Sequence, residues 1–119
     1  MEKVNLAEKF DLFHETWSPK IVAELNGQQV KLAKVEGEFE WHHHKDEDEL
    51  FLVVKGQLTI ELRNRHVTLD EGEFFVVPKG VEHRPVAREL AHILLFEPSS
   101  TLNTGTIRTE RTRDDLDWV

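Results

Sequence analysis

The 119-residue chain contains no cysteine. That excludes a disulfide framework and a thiolate metal site, so any bound metal must be held by nitrogen and oxygen. Long apolar runs are also missing. None approaches the roughly 18–20 residues that a membrane-crossing helix needs. Basic charge is scarce as well: 15 Lys and Arg against 23 Asp and Glu give a formal charge of −8. This argues against a nucleic-acid partner, whose phosphates are met mainly by Lys and Arg. The opening stretch "MEKVNLAEKF" lacks an apolar segment of signal-peptide type, so the expected compartment is the cytoplasm and no membrane is involved. No internal repeat, linker or low-complexity tract interrupts the chain.

What is present describes an ordinary folded domain. Hydrophobic residues make up 39% and charged residues 32%, a globular rather than a disordered balance. The length fits one domain, residues 1–119, large enough to bury a real core.

Apolar residues recur mostly at period two, the signature of half-buried strands. Segments 20–25 and 28–37 flank Asn26-Gly27, a strong signal for a two-residue hairpin turn. Further strands are predicted at 49–54, 57–63, 66–70, 73–78 and 91–98, separated by Gly, Pro or polar turns. These seven short segments at this spacing predict an all-β barrel or sandwich. Residues 1–17 fit either a short helix around Leu6 to Phe13 or an edge strand. The polar tail, 99–119, ends in Leu116, Trp118 and Val119, and is expected to be frayed or docked by that apolar end.

The densest chemistry lies in "WHHHKDEDE", residues 41–49. On a strand, His42 and His44 leave the same face and His43 the opposite one. Glu49 opens the following apolar strand, where its carboxylate can turn inward. His83 follows the Pro78/Gly80 turn. Imidazoles with one carboxylate suit iron, manganese, nickel, cobalt, copper or zinc. Against this stands the plain reading of a solvated histidine-rich loop; Asp46, Glu47 and Asp48 are read as its solvated tip.

Two longer patterns settle which reading to follow. Gly37, His42, His44, Glu49 and Gly56 follow the first motif of the cupins, G-x5-H-x-H-x3,4-E-x6-G, one residue short between Gly37 and His42. Gly72, Pro78, Gly80 and His83 follow the second, G-x5-P-x-G-x2-H-x3-N, with Ala87 in the place of the Asn. The chain therefore resembles the small single-domain cupins, including those similar to mannose-6-phosphate isomerase, through motifs at 37–56 and 72–87. That resemblance implies an all-β jelly-roll barrel, with one divalent metal ion bound by His42, His44, Glu49 and His83.

Such a metal can polarise a carbonyl, acidify a bound water or template a substrate. Its histidine ligands must be unprotonated, so metal is expected to leave on acidification through the imidazole range. The surrounding pocket is expected to draw on Phe39, Trp41, Phe51, Phe74 or Phe75, and Leu94 or Phe96. His92 is a further candidate for the lining, and Lys34 and Arg84 are candidate cations at the mouth. His14 and His66 read as surface residues. The expected partner is a small oxygen-rich molecule, handled by oxygenase- or isomerase-type chemistry; the alternative is a non-catalytic binding or sensing module. The family resemblance also implies a homodimer, with residues 1–17 and Leu116–Val119 as candidate contacts.

Overall fold

Asn26 and Gly27, with φ of 50° and 78°, make the tight turn that their sequence predicts. They join β1 (Lys20–Leu25) to β2 (Gln28–Glu38) in antiparallel register. The computed structural model describes residues 2–119. It continues with β3 (Glu49–Lys55), β4 (Leu58–Leu62), β5 (His66–Leu69), β6 (Phe74–Val77) and β7 (His83–Pro98), after one short helix, α1 (Leu6–Phe10). The chain is all-β apart from that helix, with the antiparallel jelly-roll arrangement of a cupin barrel.

β7 organises the sheet. It pairs with β2 along much of its length, with β4 through its first residues and with β3 through its last, giving the order β1-β2-β7-β3-β6. The sequence reading began this strand only at residue 91; it starts at His83. Pro85 and the exposed Arg88, Glu89 and Leu90 hide the alternation there. Pro85 has no N–H to donate to the ladder, while its carbonyl accepts a hydrogen bond from the Phe39 N–H at 3.0 Å.

Residues of one parity fill the barrel: Ala33, Val35, Phe51, Val53, Leu58, Ile60, Ile93 and Leu95 are all buried. A second cluster outside the sheet packs Phe10 and Phe13 against Val22 and Leu32. The helix alternative for the N-terminal segment is therefore the one realised, and Asn5 caps it by accepting the Glu8 N–H at 3.0 Å. The C-terminal end is docked on its own chain: Ile21 N–H donates to Asp117 O, and Val119 N–H to Ile21 O. Both segments expected at a dimer contact are thus engaged within the chain by Phe10, Phe13 and Val119.

Candidate metal centre

Three segments bring four side chains to one point. His42 and His44 come from the extended stretch between β2 and β3, Glu49 opens β3, and His83 opens β7. A backbone bridge fixes the first and last: His42 N–H donates to His83 O at 3.1 Å, and His83 N–H to His42 O at 2.9 Å. All four are at most 4% exposed, and each offers one ligand atom within 4.8 Å of the others. His43 stands outside this group, half-buried, as its alternating position predicts.

The donor atoms fit a cation. The Nδ1 atoms of His42 and His83 lie 2.8 and 2.9 Å from the carbonyl oxygens of Glu40 and Val81. With Nδ1–H donating there, the Nε2 lone pair of each ring is free for a ligand. His44 Nε2 and His83 Nε2 approach Glu49 Oε1 at 3.2 and 3.3 Å. Neither approach is a hydrogen bond: these three atoms are buried without a hydrogen-bond partner in the described residues. Buried polar atoms are rarely left so. Adjacent ligands at bond lengths of ~2.1 Å stand about 3 Å apart, so the spacing suits one transition metal ion.

Electrostatics keep His42 and Glu49 in metal-binding form. Burial first, and then the neighbouring His83, push the His42 imidazole down to about 4, so it stays neutral. Burial pushes the Glu49 carboxyl up, but the adjoining His44 and His83 rings more than offset this and hold it well below the usual carboxylate range.

The cavity beside the cluster is lined by Ala33, Val35, Phe39, Phe51, Ile93 and Leu95, among others. Phe39 and Phe51 were expected there. Leu94 and Phe96 were not placed correctly: Ile93 and Leu95 face inward, while Leu94 packs in the outer cluster. The segment "HILLF" is apolar at both parities, so alternation could not choose. Phe74 is 62% exposed and Phe75 packs on the core without reaching the cavity. Trp41 lies outside the lining, stacked under the Arg63 guanidinium at 3.9 Å.

The other candidate cations and His92 are committed elsewhere. Lys34 is buried and donates to Phe13 O at 2.7 Å. Arg84 is held by Glu61 and Glu38. His92 stacks on Phe10 with ring centroids 4.4 Å apart, outside the barrel. His14 and His66 are exposed, as read. In the acidic tip, Asp48 is more than solvated: its carboxylate accepts the Lys79 N–H at 2.8 Å, joining the two motif loops.

Two features were not legible beforehand. Lys31 and Glu97 line the cavity as a buried pair, with Nζ to Oε2 at 2.8 Å. Burial, then the nearby Glu49 charge, push the Glu97 carboxyl well above its usual range, with Lys31 opposing. The C-terminal tail also crosses the site. Asn103 and Leu116 line the cavity, and Thr106 N–H donates to His43 O at 3.2 Å.

Comparison with known proteins agrees with this architecture. Residues 28–96 match the Cupin_2 family, described as a cupin domain. A cupin-2 domain-containing protein from Shewanella frigidimarina NCIMB 400 is 52% identical, with a TM-score of 0.79 over 80% of this chain and 93% of that one. NMB1881 from Neisseria meningitidis is 33% identical, with a TM-score of 0.76 over 82% of this chain and 100% of that one. KdgF from Halomonas sp. is 31% identical, with a TM-score of 0.59 over 67% of this chain and 78% of that one. The uncharacterized YdbB protein of Bacillus subtilis is 41% identical over 64 residues, which span 53% of this chain and only 57% of the relative's length. With more than half of its residues in that match, and with the barrel and the four-residue cluster in place, the chain belongs to the cupin-2 family.

Proposed function

We propose that the chain binds one divalent transition metal ion through His42, His44, Glu49 and His83, and uses it to act on a small oxygen-rich molecule. The observation that carries this reading is the convergence of four buried donors, three of whose atoms have no other partner. A solvated histidine loop would leave its imidazoles in water.

Three neutral imidazoles and one carboxylate would leave a divalent ion with net charge near +1. When bound, such an ion supplies Lewis acidity toward a carbonyl or hydroxyl oxygen, and redox chemistry if it is iron. The protein's own residues supply the rest. Apolar walls from Phe39, Phe51 and Ile93 exclude bulk water and strengthen every charge interaction inside. The carbonyls of Glu40 and Val81 fix two of the imidazoles. Oxygenase- and isomerase-type chemistry both suit this arrangement.

Elemental analysis of protein purified without added metal tests the reading. About one equivalent in the parent and none in His44→Ala is the expected result. Equal metal in both, or none in either, overturns it. Iron in the parent directs the search toward oxygen-consuming reactions; manganese, nickel or zinc leaves both classes to be assayed. Metal at full occupancy with no turnover across both classes would assign the chain to the non-catalytic binding modules.

A further inference from the structure

Lys31 and Glu97 are a burial that the barrel does not need. Both side chains are 2% exposed, on a cavity whose other walls are largely apolar. Desolvating two such groups is expensive, and a well-packed apolar pair in their place is often more stable. Nor do the two satisfy each other. Lys31 Nζ makes one hydrogen bond, to Glu97 Oε2, of the three that an ammonium can donate. No donor reaches Glu97 Oε1, and the Glu97 carboxyl lies within hydrogen-bonding reach of the Glu49 carboxyl.

Their place in the sheet relates them to the four-residue cluster. Leu50 pairs with Phe96 in the β3–β7 ladder, so Glu49 and Glu97 come next as cross-strand neighbours. Lys31 lies one strand further, on β2, opposite Leu95. Gln29 is the β2 residue opposite Glu97, so Lys31 stands diagonally to Glu97, two residues along; Glu49, Glu97 and Lys31 thus step across three adjacent strands, with about 12 Å between the outer two backbones.

We propose that Lys31 and Glu97 form a second polar pole of the cavity, which takes a hydroxyl group of an uncharged polyhydroxylated molecule whose other end lies at the His42/His44/Glu49/His83 cluster. This inference rests on the metal-centred function proposed above. The pole offers unused N–H donors on Lys31 beside a Glu97 carboxyl that also lies against Glu49, and a hydroxyl group both accepts and donates. A carboxylate on the ligand accepts only, and it would face both Glu49 and Glu97.

The test uses the full chain loaded with Mn(II), with erythritol and succinate as four-carbon probes, and reads the paramagnetic broadening of their proton signals. Erythritol is expected to broaden more than succinate in the parent. In the double variant K31M/E97L, which removes both charges together, erythritol broadening is expected to fall about tenfold at unchanged manganese content, the loss of one or two hydrogen bonds. Stronger broadening of succinate in the parent overturns the proposal, with no variant required. Equal erythritol broadening in parent and double variant overturns it too, leaving the metal reading intact. Failure of the parent to bind manganese or any other divalent ion overturns both.

Discussion

The ammonium of Lys31 and the carboxyl of Glu97, 66 positions apart in the chain, meet at 2.8 Å inside the barrel. Stability depends on the pair as a unit. Lys31→Met alone leaves a buried carboxyl without its partner and is expected to cost up to about 3–5 kcal/mol. The double variant K31M/E97L is expected to recover most of that loss. Urea denaturation of the two singles and the double gives the coupling directly; simple additivity would refute the unit.

The His42 imidazole gives the metal-free protein a defined acid sensitivity. Its folded value of about 4 lies below the ordinary 6.5. Above pH 6.5 both folded and unfolded forms hold it neutral, so it contributes no pH dependence there. Between 6.5 and 4 the unfolded chain takes up a proton that the folded chain refuses, so stability falls as pH falls. The loss attributable to this group is about 3 kcal/mol by pH 4. Denaturant curves at several pH values should show a shallower acid limb in His42→Gln than in the parent; parallel limbs would contradict the assignment.

Metal should stabilise the fold as well as the site. A divalent ion at a hundred times its dissociation constant adds about 2.7 kcal/mol to the parent. His83→Ala and Glu49→Gln should show no such gain on the same titration. Thermal melts with and without chelator read this, and a gain preserved in either variant would remove that residue from the ligand set.

Gly105 ties the tail to the centre. A Cβ added there would stand 2.0 Å from His43 O, on a backbone with φ of +63°. Gly105→Ala should therefore displace the tail and cost about 1–3 kcal/mol. Trypsin should then cut faster at Arg108, Arg111 and Arg113. Gly27→Ala is the control: its φ is +78° but nothing lies within 4 Å, so only the smaller backbone strain applies.

The chain ends still expose Leu12 and Trp118, and a further apolar surface is available for self-association. β6 lies at the end of the strand order, with Phe74 62% and Val76 42% exposed. Light scattering is expected to give about twice the 13.9 kDa chain mass, and Phe74→Glu to lower it. A parent mass near 13.9 kDa at micromolar concentration would exclude the homodimer.

The four-residue cluster was readable because its spacing is dictated locally: His42 and His44 by the alternation of an extended stretch, Glu49 by its place at the start of an apolar strand, and His83 by the Gly80 turn before its strand. Gly56, Gly72 and Gly80 all take positive φ, which explains why those turns carry glycine. Lys31 and Glu97 escaped notice for the opposite reason. A charged residue in an alternating strand reads as solvent-facing, and only the closed sheet shows that its parity points inward. The inward face of residues 91–98 was likewise hidden, since Ile93, Leu94, Leu95 and Phe96 offer apolar side chains to both sides. The tail has no periodicity at all, and its course over the site depends on contacts such as Thr106 with His43.

β7 is the common neighbour of β2, β3 and β4, yet it is the last strand to be made. Pairs β1–β2, β4–β5 and β3–β6 can form earlier during synthesis, but they have nothing to join them until Pro98 has left the ribosome. His83 arrives on that same strand. The nascent chain thus acquires its closed core and its fourth metal donor in a single late event, and a partly made barrel holds no complete cation site.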